Sequence, residues 1–200
     1  CAPHYSIGAN GIVLIERSEI ADAKMRSFNR DGSEGKMAGN NIRCVAKYVY
    51  DRGIVPKERI TVETGGGVRS LRLFLRDGEV SSVEVDMGRA SLKAAEIPVV
   101  SNREILVNAP VTIGWKEYRV TCVNVGNPHC VVFCDNLDQL DLKEIGPQFE
   151  YSPVFPERVN TEFVEVFDPH TLRMRVWERG SGETLACGTG ITAAAIAAFA

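Results

Sequence analysis

The spacing of apolar residues along the chain predicts many short strands. Short runs that alternate between apolar and polar, or that are continuously apolar, are typical of strands. They occur at 12–16, 23–29, 59–64, 68–75, 80–87, 111–113, 118–125, 131–134, 161–167 and 172–177. The run at 12–16 is apolar up to its last residue, which predicts a buried strand.

Helical spacing appears in three places. Ile42, Val45 and Val49 follow Gly39 at the spacing of one helix face, and Gly53 ends that helix. A short helix is predicted within 140–149, and a third from Gly188 to the end of the chain. Turn residues are placed at 31–35, 64–67, 77–78 and 168–170.

The order of these elements predicts an α+β fold with two similar halves. We place the boundary after Gly88, which gives an N-terminal half of residues 1–88 and a C-terminal half of residues 89–200. The chain begins at Cys1 and ends at Ala200 inside an alanine-rich helical pattern. We therefore expect a piece of a longer protein, truncated at its start and cut within its last helix.

One segment occurs twice, 149 positions apart, when position 38 is set against Cys187. The matched pairs are Glu34 and Glu183, Gly39 and Gly188, Asn40 and Thr189, and Ile42 and Ile191. Both copies lead into a helix of small and apolar residues. This predicts one structural unit used in both halves.

The repeated segment has the properties of an anion site. A glycine without Cβ lets a ligand approach the backbone, and a helix start presents unpaired N–H groups and the positive end of the dipole. A carboxylate or phosphate suits such a site. A cysteine at the first position, such as Cys187, is expected to have its thiolate favoured by the same field.

Composition narrows the partners and the compartment. The 200 residues are 44% hydrophobic and 24% charged, with a net charge of −3. This balance argues against nucleic acid or membrane as the main partner. The six cysteines form no CxxC pair, and a chain of this length needs no disulfide framework. We therefore expect reduced cysteines and a cytoplasmic protein.

Five ordered blocks of sequence resemble the diaminopimelate epimerase family. They are IGANGIVLIE (7–16), FNRDGSEGKMAGNNIRC (28–44), GNPHCVVF (126–133), RVNTEFVEV (158–166) and RVWERGSGETLACGTG (175–190). The last block, with Cys187, is the most specific. The resemblance covers almost the whole chain.

The resemblance implies two pseudo-symmetric halves, each a β-barrel-like sheet around a central helix, with a site in the cleft between them. It implies an epimerase that interconverts LL- and meso-diaminopimelate by two-base proton transfer, for lysine and peptidoglycan synthesis. It implies no cofactor, neither pyridoxal phosphate nor metal. The partner is a small amino-acid substrate, and a homodimer is left open.

The resemblance also assigns roles to single residues. Cys187 is a catalytic thiol, with His129 and Glu178 beside the thiols. The other predicted substrate-binding residues are Gly39, Asn40, Gly188 and Thr189 for the proximal carboxylate, Asn127 nearby, and Asn29, Asn160 and Arg179 for the distal end.

The sequence departs from the family at one decisive position. The family has its first catalytic cysteine where this chain has Ala38. An engineered change, a natural variant with another acid, and a homologue that only binds a ligand all fit the sequence. A racemase of another amino acid, such as histidine, and an isomerase of the phenazine-biosynthesis type are rival enzymes; the thiol of Cys187 speaks against the latter.

Several residues also have ordinary structural interpretations. His129 fits a loop histidine, and with Cys130 and Cys134 it fits a metal site less well than a core strand. Glu178 and Arg179 fit a solvated strand end. Cys44 and Cys122 are predicted to be core residues.

Overall fold

The computed structural model describes residues 9, 11–29, 31–35 and 39–200. Its contacts divide the chain into two compact units, Cys1–Gly88 and Arg89–Ala200. We refer to them as unit 1 and unit 2. No helix among the described residues is long and apolar enough to span a membrane.

Unit 1 is built on a six-stranded sheet with one helix. Its elements are β1 (Gly11–Glu16), β2 (Ala23–Asn29), β3 (Glu34–Gly35), α1 (Gly39–Asp51), β4 (Arg59–Thr64), β5 (Gly67–Arg76) and β6 (Glu79–Val85). The strand order is β1-β2-β4-β5-β6, and β3 pairs with β2. Only β2 and β4 pair in parallel; the other described pairs are antiparallel.

Unit 2 has a second six-stranded sheet and two α-helices. Its elements are β7 (Ala109–Ile113), β8 (Lys116–Asn124), β9 (Pro128–Phe133), α2 (Leu142–Glu150), β10 (Asn160–Asp168), β11 (Thr171–Glu178), β12 (Gly182–Thr184) and α3 (Gly188–Phe199). The order is β12-β11-β10-β9-β8-β7, with β9 and β10 parallel. Two sheets with few helices make this the α+β architecture that the sequence predicts.

The internal repeat extends to the strand register. In each unit a hairpin, a short third strand and a helix follow one another, as β1-β2-β3-α1 and as β10-β11-β12-α3. Residues that face each other in unit 1 have counterparts 149 positions later that also face each other: Ile12↔Phe28 and Thr161↔Trp177, Phe28↔Glu34 and Trp177↔Glu183.

An ion pair is repeated as well. The Nε of Arg26 lies 2.8 Å from Glu34 Oε1 in unit 1, and the Nε of Arg175 lies 2.9 Å from Glu183 Oε1 in unit 2. Both pairs join the second strand of the motif to the third. Such exposed pairs add little stability, but their recurrence at equivalent positions supports the structural match between the two units.

Each helix packs its apolar face on its own sheet. In unit 1, Ile42, Val45 and Val49 of α1 enter the core. In unit 2, α3 contributes Ala193, Ala194 and Ala197 to one face of the sheet. The other face of that sheet joins α2 in a core that contains Phe149 and Phe163.

The two faces of the unit 2 sheet follow from strand alternation. On β9, Val131 packs on the α3 side while Cys130 and Val132 join the core with α2. On β10, Val164 lies on the α3 side and Phe163 on the α2 side. Successive side chains of a strand point to opposite faces. His129 and Glu162, two residues before Val131 and Val164, therefore belong to the α3 face.

Three expectations from the sequence are wrong in detail. The first strand is not buried: Ile12 is 60% exposed, because β1 is an edge strand and only its Val13 packs against the core. Cys44 is exposed on α1, whereas Cys122 is buried as expected. The segment 31–35 contains strand β3 as well as a turn.

Candidate active site

Cys187 is the N-cap residue of α3, and its sulfur lies at the open end of that helix. The backbone N–H of Gly190 donates to Sγ at 3.3 Å. The hydroxyl of Thr189 lies 3.4 Å from Sγ, and either atom can be the donor. Cys187 is buried, with 5% of its surface exposed. The sequence pattern thus predicted its position at the helix start.

Two carboxyl groups oppose the effect of the helix start on this thiol. Burial, and then the charges of Glu178 and Glu162, raise the pKa of the Cys187 thiol to about 12, while hydrogen bonds from Thr189 and Gly190 act in the lowering direction. The expectation that α3 makes the thiolate the favoured form is therefore wrong. In this arrangement Cys187 is a thiol, which is a proton donor.

Glu178, the last residue of β11, lies beside Cys187. The hydroxyl of Thr184 donates to its Oε1. Burial raises the pKa of the Glu178 carboxyl, and nearby Glu162 raises it further; the hydrogen bond from Cys187 acts in the lowering direction. A carboxylate with a raised pKa next to a thiol is suited to exchange a proton with it. Glu178 is thus part-buried and bonded, not a solvated strand end.

His129 begins a chain of hydrogen bonds that reaches Cys187. Its Nδ1 lies 2.7 Å from Glu162 Oε1, and its Nε2 lies 2.9 Å from Asn127 Oδ1. The side-chain amide of Asn127 donates to Thr189 Oγ1 at 3.2 Å, and Thr189 contacts the sulfur. His129 is fully buried on β9, so the alternative of a loop histidine is wrong.

The residues of the metal alternative do not lie together around His129. Cys130 is the next residue on the same strand and lies in the core shared with α2, on the opposite face. Within 9, 11–29, 31–35 and 39–200, no three His, Cys, Asp or Glu side chains are grouped so that they could hold a metal ion.

Asn160 and Arg179 are joined through the turn that follows β11. The backbone N–H of Arg179 donates to Asn160 Oδ1 at 2.9 Å, and Asn160 Nδ2 donates to Pro128 O at 3.0 Å. Gly180 and Gly182 give the turn its shape with φ of 74° and 80°. The amide of Asn160 therefore fixes the turn that carries Arg179.

A buried glutamate secures the same turn from the other side. Glu150, 2% exposed, accepts from the backbone N–H of Gly180 at 2.9 Å and from Trp177 Nε1 at 2.7 Å. The side chain of Arg179 donates to the carbonyl of Glu157 at 2.9 Å. These bonds position the end of β11, where Glu178 stands.

The predicted residues of unit 1 lie at equivalent places in the repeat. Gly39 and Asn40 open α1 as Gly188 and Thr189 open α3, and Asn29 ends β2 as Glu178 ends β11. Arg43 donates to Asn40 Oδ1 and to the carbonyl of Gly39. Position 38 lies outside the described residues.

Unit 2 brings together eight of the predicted residues: Asn127, His129, Asn160, Glu178, Arg179, Cys187, Gly188 and Thr189.

Sequence analysis missed Glu162, whose carboxyl lies 2.7 Å from the predicted residue His129. It is fully buried on β10. The signal in the sequence was weak, because Glu162 shares its strand face with polar Asn160 as well as with Val164 and Val166. Buried carboxylates are rare unless they are paired. Its partner His129 comes from another strand, which the sequence pattern does not reveal.

The chain matches the family model described as diaminopimelate epimerase over residues 1–93 and 121–200. It is 56% identical over 194 residues to the diaminopimelate epimerase of Acetivibrio thermocellus, covering 97% of this chain and 69% of that protein. It is 52% identical over 200 residues to that of Desulfovibrio desulfuricans, covering 97% and 70%. The chain belongs to the diaminopimelate epimerase family. The resemblance seen in the sequence is thereby confirmed.

A solved structure supports the fold assignment at low sequence identity. The chain resembles a probable proline racemase from Agrobacterium radiobacter with a TM-score of 0.68 and 19% identity. The match covers 94% of this chain and 60% of that one, so the chain spans less than two thirds of the solved protein. At this identity the likeness concerns the fold alone.

Proposed function

We propose that this protein acts on diaminopimelate and moves a proton at its α-carbon, between the LL and meso forms. The observation that carries the proposal is the Cys187 thiol at the start of α3, beside the carboxyl of Glu178. The names of the relatives from Acetivibrio thermocellus and Desulfovibrio desulfuricans support the substrate. The product serves lysine and peptidoglycan synthesis.

Glu178 gives the buried thiol a route to its reactive form. As a thiol, Cys187 delivers a proton to a carbanion; to remove one, it must first become a thiolate. The Glu178 carboxylate takes the S–H proton, and the sulfur then removes the α-proton of the substrate and becomes a thiol again. The raised pKa of Glu178 makes it a stronger base for this step than an ordinary carboxylate.

The first turn of α3 stabilises the charge that this step creates. When the α-proton leaves, negative charge spreads onto the adjacent carboxylate of the substrate. We place that carboxylate on the backbone N–H groups of Gly188 and Thr189, where the helix dipole is favourable. This stabilisation comes from the protein backbone, so the proposed reaction requires neither pyridoxal phosphate nor a metal.

The remaining residues are assigned to the substrate's orientation. His129 and Asn127 hold Thr189 through the hydrogen-bond chain, and Arg179 is suited to the distal carboxylate because a guanidinium binds carboxylates with two bonds. Asn160 acts through Arg179, whose backbone it holds. Asn29, Gly39 and Asn40 of unit 1 are also proposed to bind substrate, on the resemblance to the family alone.

Alanine at position 38 limits what the chain does with this substrate. Inversion requires a proton from the opposite face, and an alanine side chain has none to give. We therefore propose proton exchange at one face with little inversion. The same alanine favours a second candidate, a homologue that binds the ligand without catalysis.

We also propose a compartment and a set of partners for this protein. The five cysteines in the described part of the chain form no disulfide, which supports a reducing cytoplasm. We propose a small amino acid as the ligand, no nucleic-acid or membrane partner, and a homodimer as the assembly to test.

Incubation with each diaminopimelate isomer in D₂O tests the function. Mass and chiral analysis should show slow deuterium uptake into one isomer with little inversion, because Cys187 reprotonates the face that it deprotonated. Equal uptake into both isomers with fast inversion would show that position 38 is not a catalytic site. Binding without any uptake would support the ligand-binding homologue instead.

A further inference from the structure

Glu162 is a buried carboxyl group on the α3 face of the unit 2 sheet. Its side chain is completely inaccessible to solvent, and Oε2 has no hydrogen-bond partner in the part of the chain that the structure describes. A buried carboxylate without full compensation is costly. This cost points to a use for its charge or its hydrogen bond.

Glu162 packs directly against the first turn of α3. A Cβ built on Gly190 would lie 2.6 Å from Glu162 Oε1, and 3.2 Å from both Cβ and Sγ of Cys187. The missing side chain at Gly190 thus lets the carboxyl and the sulfur approach the same backbone. Both groups therefore lie near the N-terminal end of α3, where the helix dipole is positive.

The other side of Glu162 faces His129. Oε1 lies 2.7 Å from Nδ1, and the opposite ring nitrogen is bound to Asn127. Three titratable side chains lie near the sulfur, on strands that pack against α3. They are Glu162 from β10, His129 from β9 and Glu178 from β11. Glu178 is hydrogen-bonded to Cys187 itself, whereas Glu162 lies against Gly190 in the first turn of α3.

We propose that Glu162 is a positioning residue that keeps Cys187 in its thiol form by placing a buried carboxylate against the first turn of α3. The helix start would otherwise favour a thiolate. The negative charge of the carboxylate opposes the positive potential of the helix dipole at the sulfur. The raised pKa of the Cys187 thiol, to which the charge of Glu162 contributes, agrees with this arrangement. The hydrogen bond to His129 holds the carboxylate in place.

This role gives the proposed reaction a protected resting state. A buried thiol resists alkylation and oxidation, since the thiolate is the reactive form. Cys187 is then activated only when Glu178 accepts its proton. The inference rests on the proposed function for its purpose, but the state of the thiol is measurable without any substrate.

The test compares Glu162→Gln with Glu162→Asp in the whole chain without ligand. We expect Glu162→Gln to lower the pKa of Cys187 by roughly one unit or more, because a like charge is removed. NMR of ¹³Cβ-labelled cysteine against pH follows the thiol directly. The alkylation rate of Cys187 at pH 8.5 should rise about tenfold relative to exposed Cys44 in the same molecule.

Glu162→Asp separates charge from loosened packing. Aspartate keeps the charge but leaves a larger gap than glutamine, so a packing effect would raise alkylation in Glu162→Asp at least as much as in Glu162→Gln. The charge mechanism predicts that the alkylation rate of Cys187 in Glu162→Asp stays close to the rate in the parent. Glu165→Gln is the matched control, because Glu165 stands on the same strand and pairs with Arg173.

An unchanged Cys187 pKa in folded Glu162→Gln would overturn the inference. It would mean that the Glu162 carboxyl does not control the state of the Cys187 thiol. Deuterium uptake from diaminopimelate by the parent chain would be unaffected by that result. A parent chain that takes up no deuterium, with a shifted pKa in Glu162→Gln, would instead count against the proposed function alone.

Discussion

Replacement of Gly190 by alanine tests the packing at the start of α3. Alanine in a helix is normally favoured over glycine by about 1 kcal/mol. Here the added methyl would lie 2.6 Å from Glu162 Oε1 and 3.2 Å from the sulfur of Cys187, well inside contact distance. Forced overlap in a packed interior costs about 1–3 kcal/mol.

The displaced carboxylate adds to this cost. If Glu162 moves, its 2.7 Å contact with His129 weakens, and a hydrogen bond to a charged group contributes about 1.5–3 kcal/mol. The helix gain offsets part of this sum. We expect Gly190→Ala to lower the free energy of unfolding of unit 2 by about 2 kcal/mol, and to slow deuterium exchange because Cys187 shifts.

Urea unfolding followed by tryptophan fluorescence measures the effect in the right unit. Both tryptophans, Trp115 and Trp177, lie in unit 2, and Trp177 is the one packed inside it. If Gly190→Ala proved as stable as the parent, the carboxyl of Glu162 would not lie beneath the first turn, and the argument for its role would fail.

Three further predictions follow from the site. Iodoacetamide at pH 8 should modify exposed Cys44 well before Cys187. The pKa of about 12 leaves only about one Cys187 side chain in ten thousand as thiolate at that pH. Faster labelling of Cys187 than of Cys44 in peptide mass spectra would contradict that pKa. Ala38→Cys should raise epimerisation in a chiral assay by about a hundredfold, the usual contribution of a positioned acid–base group, and a flat result in folded protein would point to another acid. Glu178→Gln should slow deuterium exchange by at least about tenfold, yet stabilise the fold at neutral pH. The folded pKa of Glu178 is raised above its unfolded value, so the parent loses stability as pH rises from the unfolded pKa through the folded one; thermal unfolding at pH 4 and pH 7 should show that loss in the parent and a smaller one in the variant.

The local elements and the repeat were predictable from the sequence. Strand β2 and helix α1 depend on apolar spacing and on glycines at their ends, which act over a few residues. The identity of the site also depends on local sequence, because Cys187 and Gly188 must follow one another to place a thiol at a helix start. The register of the repeated hairpin follows from the same pattern in both units.

The tertiary structure alone decided which side chains meet at that thiol. Glu162 and His129 are 33 residues apart and come together because β9 and β10 pair in parallel, a pairing that apolar spacing does not encode. The exposure of Ile12 likewise depends on β1 being an edge strand. The sequence by itself determined that a cysteine opens α3, and its local field favours a thiolate. Whether that cysteine is a thiol was decided by burial and by two carboxyl groups from neighbouring strands, because charge interactions act through space rather than along the chain.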